Sequence, residues 1–145
     1  MDQTLGADLL AVVARLNRFA TQRARMSLSF AQARLLSTIE DQGAARISDL
    51  AALDHCSQPT MTMQVRRLED AGLVSRTNDP DDARAVLIRI TPKGIRTLRQ
   101  VRVDRGRTID PYLEQLDARD RQTLAAAIRV LHRLLEDAAA PKSGK

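Results

Sequence analysis

The chain has 145 residues, a formal net charge of +5 and one cysteine, with 43% hydrophobic and only 2% aromatic residues. This length fits one compact protomer, the single cysteine excludes an internal disulfide framework, and the basic charge favours a polyanionic partner such as nucleic acid or an anionic membrane. The shortage of aromatic rings disfavours a stacking platform for single-stranded nucleic acid. The lack of both a signal peptide and an apolar run of roughly 20 residues predicts a cytoplasmic protein.

The first part of the chain predicts two helices. Apolar residues recur at spacings of three and four, which indicates an amphipathic helix over residues 4–25. Ser29 and Gln32 have the spacing of a capping box, in which each side chain satisfies a free backbone N–H of the first turn, so a second helix is expected to begin there. Gly43 is a natural end for that helix, because glycine readily adopts a left-handed C-terminal cap.

The next segment has the pattern of a helix-turn-helix unit. A short third helix is expected to begin near Ser48, residues 54–56 form a tight turn, and Ser57 caps a fourth helix that ends at Gly72. Two helices joined by such a turn are typical of DNA-binding units in which the second helix enters the major groove. The fourth helix is therefore the predicted recognition helix.

This fourth helix has two contrasting faces. Met61, Val65 and Leu68 cluster on one side and are predicted to pack inward. The other side mixes small polar, apolar and cationic groups without a carboxylate before Glu69, whereas an ordinary solvated helix would be expected to carry acidic residues. Such groups suit base edges, thymine methyls and phosphates. The predicted DNA-binding residues of this segment are Ser57, Gln58, Pro59, Thr60, Thr62, Met63, Arg66 and Arg67.

A strand–turn–strand segment follows the recognition helix. Strands are predicted over residues 73–77 and 85–91, with a turn-rich tip over 78–82. Asp82 and Arg84 flank a single residue. We expect the aspartate to hold the tip in one shape while the guanidinium enters a narrow, negative minor groove, so both belong to the predicted DNA-binding set. The alternative is a polar turn without a partner.

Two more helices are predicted after this hairpin. Thr91 and Pro92 are the N-cap and first residue of a fifth helix, which should run to about residue 116 with a kink near Pro111. Asp117 caps a sixth helix with an apolar stripe at near-heptad spacing. The sequence thus predicts a mainly α fold with a small β-hairpin wing: a winged helix-turn-helix flanked by N- and C-terminal helices.

Five motifs follow one another along this part of the chain. They are ISDLA at 47–51, SQPTMT at 57–62, RLEDAGLVSR at 67–76, DPDDAR at 79–84 and LIRITPKG at 87–94. In order and spacing the chain resembles the MarR (multiple antibiotic resistance regulator) family of bacterial regulators, and the wing with its Thr-Pro-Lys-Gly exit is the most specific part. One departure is Ala83, where members often carry a second basic residue, so one wing–phosphate contact is expected to be missing.

The resemblance implies a homodimer on double-stranded DNA. Family members pair their terminal helices and place two winged domains on a pseudo-palindrome. Residues 1–145 then form one protomer, 29–92 its winged helix-turn-helix region, and 1–25 and 93–140 its dimerisation helices. Apolar stripes on these helices fit a dimer independently, and intramolecular packing of three helices is the alternative. The expected interface residues are Leu9, Val13, Leu16, Leu124, Ile128, Leu131 and Leu135.

The resemblance also implies regulation by a small molecule. Relatives often bind aromatic or anionic effectors between the dimer helices and the winged domain, which weakens their binding to DNA. The expected lining in this chain is Leu16, Phe30, Arg34 and Tyr112. The predicted function is a sequence-specific, ligand-responsive repressor.

Other functions have little support. No phosphate loop, nucleophile elbow or HExxH motif indicates an enzyme, so no catalytic residue and no cofactor is expected, and one Cys with two distant His residues does not fit a metal site. Cys56 is interpreted as filler of the turn rather than a redox switch, and the aspartates at 79, 81 and 82 as turn formers. The main alternative is a non-enzymatic helical interaction protein, which the acid-free helix face and the wing arginine disfavour.

Overall fold

A computed structural model describes residues 3–140, which form two compact units divided between Thr108 and Ile109. The first unit contains α1 (Gln3–Arg23), α2 (Phe30–Gln42), β1 (Ala45–Arg46), α3 (Ile47–Leu53), α4 (Gln58–Asp70), β2 (Val74–Asp79), β3 (Asp82–Ile90) and α5 (Pro92–Arg107). The second contains α6 (Asp110–Leu113) and α7 (Ala118–Ala139). The predicted mainly α fold with a small β wing is confirmed. None of the helices within residues 3–140 has the length and apolar character that a membrane span requires.

Local signals at the helix ends explain most of these boundaries. The Ser29 hydroxyl accepts a hydrogen bond from the Gln32 amide at 3.1 Å, and the Gln32 side chain accepts one from the Ser29 amide at 3.0 Å, so the capping box is confirmed. Gly43 ends α2 with a φ of 71°. Asp117 caps α7 by accepting a hydrogen bond from the Asp120 amide at 2.8 Å.

The core of the first unit joins the helix-turn-helix to the sheet. The three α4 residues predicted to pack inward, Met61, Val65 and Leu68, are fully buried. They belong to one cluster with side chains from α2, α3, α5 and the sheet, among them Leu36, Ile39, Leu50, Ile88 and Leu98. Full burial of one such side chain contributes roughly 1.5–3 kcal/mol to the stability of the fold. The packing of these three residues therefore fixes the orientation of α4 about its own axis.

The sheet has three antiparallel strands in the order β1–β3–β2, one more than the predicted hairpin. The additional strand pairs Ala45 with Ile88 and Arg46 with Leu87. Two residues are too few to show an alternating pattern, so the sequence contains no sign of β1. Through this pairing, β1 connects the base of the wing to the start of α3.

The hairpin is longer and its turn shorter than predicted. Asp79 pairs with Asp82, so the turn consists of Pro80 and Asp81 instead of residues 78–82. The polar residues at 78, 79 and 82, which suggest a loose tip in the sequence, therefore lie at the ends of the two strands. The register shifts between Asn78 and Asp79, as at a β-bulge.

The exit from the wing is fastened to the end of α4. Thr91 caps α5 by accepting a hydrogen bond from the Gly94 amide at 3.0 Å, and Lys93 Nζ donates to the Ala71 carbonyl at 2.9 Å. A side chain at Gly94 would drive its β carbon into the Leu73 carbonyl oxygen, so only glycine fits. The Thr-Pro-Lys-Gly motif thus joins the first turn of α5 to the end of α4.

The prediction that the fifth helix runs to residue 116 with a kink near Pro111 is wrong. α5 ends at Arg107, and the short α6 begins at Asp110. Proline lacks the N–H that a continuing helix needs, but it is tolerated in a first turn, where no intrahelical partner is required. The proline therefore separates two helices instead of bending one.

Candidate nucleic-acid interface

The turn between α3 and α4 sets the start of α4, the predicted recognition helix. His55 has a φ of 51°, in the left-handed region that non-glycine residues adopt mainly in tight turns. The Ser57 hydroxyl then accepts a hydrogen bond from the Thr60 amide at 3.3 Å, as the sequence predicts for an N-cap. Cys56 is partly buried and packs against the core, which agrees with a structural role.

The residues predicted to bind DNA from α4 lie on its outward face. Ser57, Gln58, Pro59, Thr60, Met63, Arg66 and Arg67 are exposed and Thr62 is partly buried. Within the described chain, Arg67 approaches the Met63 sulfur at 3.8 Å, and Arg66 has no hydrogen bond or ion pair. The Ser57 hydroxyl donates to the Thr60 hydroxyl at 2.8 Å. The face therefore offers the exposed guanidinium groups of Arg66 and Arg67, together with small polar side chains, to phosphates and base edges.

Arg84 is exposed on β3 and also has no side-chain partner among residues 3–140. Asp82 Oδ1 accepts a hydrogen bond from the Arg84 backbone amide at 3.0 Å. Asp82 thus shapes the backbone beside Arg84 and leaves the guanidinium free.

Asp79 has a role that the sequence does not reveal. It is the one polar or charged residue that is buried in the described part of the chain. Its Oδ2 accepts hydrogen bonds from Nε and Nη2 of Arg46 at 3.1 and 2.6 Å, and its Oδ1 accepts one from the Asp81 amide at 2.9 Å. The Asp81 amide and then the Arg46 guanidinium lower the pKa of the Asp79 carboxyl, and the same ion pair raises the pKa of Arg46.

No three His, Cys, Asp or Glu side chains within residues 3–140 are grouped as metal ligands.

A basic groove lies between the wing and the starts of α3 and α4. It has a volume of about 330 Å³ and is lined by Arg46, Ile47, Ser48, Gln58, Arg76, Arg84, Ala85 and Val86. Arg76 is held by Glu69 at 2.5 Å, so the acidic end of α4 is turned toward β2. Sequence reasoning does not find Arg46 or Arg76, because only the fold brings residues from three distant segments together.

The predicted dimerisation residues remain accessible on α1 and α7. The exposed ones are Val13, Leu16, Leu124, Ile128 and Leu135, and the partly buried ones are Leu9 and Leu131. No residue of α7 is buried within the described chain. Each helix thus presents an apolar stripe that its own unit does not cover.

A second cavity, also of about 330 Å³, lies among α1, α2 and α5. Phe30 and Arg34 of the predicted effector site line it together. Leu16 instead lines a separate depression on α1, and Tyr112 belongs to the second unit. The lining residues not predicted from the sequence include Asn17, Arg102 and Arg105.

The arginines of this cavity differ in their partners. Arg34 pairs with Asp54 at 2.8 Å and Arg102 with Glu40 at 2.7 Å. Arg105 has no carboxylate partner within the described residues. Its Nη2 donates to the side-chain oxygen of Asn17 at 2.9 Å, and its buried Nε has no hydrogen-bond partner there. Arg105 is therefore the cation of this cavity with an unsatisfied donor.

The capped helix-turn-helix, the three-stranded sheet and the arginine-bearing wing define a winged helix-turn-helix protein. Comparisons with known proteins agree. The model of the MarR family matches residues 28–86. An HTH-type transcriptional regulator of Mycobacterium leprae is 30% identical over 139 residues, which covers 94% of this chain and 96% of the relative.

Solved structures share the fold. The transcriptional regulator Tm0710 from Thermotoga maritima has a TM-score of 0.75 at 25% identity, covering 97% of this chain and 100% of that one. A mutant MarR from E. coli, complexed with operator DNA, has a TM-score of 0.59 at 21% identity, covering 89% and 94%. The chain belongs to the MarR family of DNA-binding transcriptional regulators.

Proposed function

We propose that this protein is a ligand-responsive repressor that binds a pseudo-palindromic operator as a homodimer. In each subunit α4 enters the major groove, and Arg84 on the wing reaches the adjacent minor groove. The observation that carries this proposal is the exposed, carboxylate-free face of α4 beside a wing arginine without a protein partner. The similarity to a MarR mutant that is complexed with operator DNA supports the same mode.

A second copy of the chain is the occupant that best accounts for the exposed stripes of α1 and α7. Monomeric proteins rarely leave contiguous apolar surface of this kind open to water. A two-fold dimer would bury both stripes and present two recognition helices to one face of the duplex.

We expect the bound site to contain two inverted half-sites whose centres lie roughly 10–11 base pairs apart, one helical turn of DNA. The test is selection of bound sites from genomic DNA, followed by footprinting at saturation. The double variant Arg66→Ala with Arg84→Ala is the control and should enrich this sequence much less strongly than wild type. Protection of one isolated, non-palindromic half-site at saturation would contradict the proposal. Transcription in vitro from a template carrying the recovered site should fall when the protein is added.

The effector part of the proposal is supported by the cavity around Arg105. An aromatic carboxylate fits its chemistry, because the acid can accept hydrogen bonds from Arg105 while the ring packs against Phe30, Leu98 and Val101. The Phe30 ring centroid already lies 5.8 Å from the Arg105 guanidinium.

The Arg34–Asp54 ion pair supplies a route from this cavity to the recognition helix. Arg34 lines the cavity, and Asp54 caps the end of α3, directly before the turn that leads into α4. An anion that attracts Arg34 competes with Asp54 and loosens that turn. Binding of the anion and of DNA are then negatively coupled.

Benzoate is a simple probe of this coupling. We expect it to lower affinity for the selected site by roughly 5- to 150-fold, the usual range of allosteric coupling, while uncharged benzamide has little effect. Arg105→Met should bind DNA like wild type without responding to benzoate. Arg107→Met, an exposed arginine of the same helix outside the cavity, should keep the response. An equal response of Arg105→Met and wild type would refute this site.

A further inference from the structure

The Arg46–Asp79 ion pair connects two elements that are distant in the chain. Arg46 ends β1 and is also the N-cap residue of α3, so its backbone belongs to the helix-turn-helix. Asp79 ends β2 at the turn of the wing, 33 residues later. The ladder of β1 with β3, which is two residues long, and the Glu69–Arg76 ion pair also join the two regions, and the Arg46–Asp79 pair joins them at the turn of the wing.

Asp79 also organises the turn itself. One carboxylate oxygen accepts hydrogen bonds from the Arg46 guanidinium, and the other accepts a hydrogen bond from the Asp81 amide. Asp82 lies opposite Asp79 in the hairpin register, and its own carboxylate accepts the amide of Arg84. A continuous series of contacts therefore runs from the start of α3 to the backbone of Arg84.

We propose that Arg46 and Asp79 form a positioning clamp that holds the wing, and with it Arg84, in the orientation that DNA binding requires. The inference rests on the proposed role of the wing in binding DNA. Neither residue needs to touch DNA to act in this way. The clamp orders the hairpin in the free protein. Less conformational entropy is then lost when the protein binds DNA.

Charge alone predicts the opposite effect of breaking this clamp. Asp79→Asn removes a negative charge close to the DNA, and it frees Arg46, so simple electrostatics predicts tighter binding. The clamp predicts weaker binding, because the wing must be ordered when the complex forms. Ordering the backbone of about one residue corresponds to a roughly 5- to 30-fold loss of affinity. The sign of the change therefore decides between the two.

The experiment measures the affinity of full-length variants for the duplex recovered by genomic selection. We expect Asp79→Asn to bind roughly 5- to 30-fold more weakly. Asp81→Asn is the matched control: it removes the same charge two residues away, at an exposed side chain that makes no hydrogen bond in the described chain, and it should bind as well as or better than wild type. Affinity of Asp79→Asn equal to or above that of Asp81→Asn overturns the clamp.

A double-mutant cycle separates positioning from general damage to the fold. In an Arg84→Ala background, Asp79→Asn should cause little further loss, because the group that it positions is gone. The same loss in both backgrounds would overturn the inference. If circular dichroism shows that Asp79→Asn does not fold, Arg46→Met breaks the same ion pair. It should weaken binding in the wild-type background and cause little further loss in the Arg84→Ala background.

A readout without DNA keeps this inference distinct from the proposed function. Amide hydrogen exchange in the free protein should be faster at Asp81 and Arg84 in Asp79→Asn than in wild type, with the α4 amides unchanged. Unchanged exchange at the wing refutes the clamp. Wild type that retains no duplex at low salt would instead refute the proposed function and leave the exchange result standing.

Discussion

The double substitution Ile128→Glu and Leu135→Glu should give a folded monomer that binds its operator roughly 10²- to 10⁴-fold more weakly, because the second half-site no longer benefits from linkage to the first. Both side chains are more than half exposed, at 55% and 63%, so glutamate costs the isolated protomer little. In an interface between two copies of α7 the same charges would be buried without partners, which is strongly unfavourable.

Val130→Glu is the matched control for this experiment. Val130 is 50% exposed on the same helix, but it lies about 140–160° around the helix axis from the two substituted positions. It should leave the dimer intact. Light scattering gives the oligomeric state and circular dichroism the fold. A folded Ile128→Glu, Leu135→Glu protein that stays dimeric at micromolar concentration would show that the α7 stripe is not the interface.

The features that could be predicted from the sequence are those that depend on neighbouring residues. The Ser29–Gln32 capping box and the Ser57 cap involve residues three apart, so spacing alone reveals them. The inward face of α4 likewise follows from helical periodicity, and Met61 is fully buried whereas Met63 is 56% exposed. The order of these local signals is enough to predict the winged helix-turn-helix.

What could not be predicted depends on contacts between distant segments. β1 is only two residues long, and it is a strand because β3 pairs with it. Asp79 looks like its neighbours Asp81 and Asp82 in the sequence, yet it alone of the three is buried, because the fold brings Arg46 to it.

The cavity among α1, α2 and α5 also combines residues that are close in the sequence with residues that are distant. Phe30 and Arg34 lie one turn apart on α2, and helical periodicity places them together. Arg102 and Arg105 reach the cavity from α5, about 70 residues further along the chain, and no local pattern distinguishes them from the other arginines of that helix. Two of the four residues that the resemblance implies for an effector site therefore share this cavity, and Arg102 and Arg105 join them only through the fold.

Single substitutions should separate the contribution of α4 to DNA binding from that of the wing. Arg66→Ala or Thr62→Ala should weaken binding to the best operator by roughly 1–3 kcal/mol and relax the preference at one base position, because a base contact discriminates among sequences. Arg66 is exposed without a partner in the described chain, whereas Thr62 is partly buried, so the larger effect is expected for Arg66.

Arg84→Ala should weaken binding to most sequences alike, since a guanidinium in the minor groove reads groove width and phosphate charge rather than base identity. The slope of log K against log salt should become shallower by about 0.9 for each phosphate that the variant no longer neutralises. Arg89→Ala is the matched control, because Arg89 is an exposed arginine five residues along the same strand and hence on its opposite face. Affinity for the operator and for a scrambled duplex, measured at several salt concentrations, gives both quantities. If Arg84→Ala and Arg89→Ala share the wild-type slope, the wing does not bind DNA through Arg84.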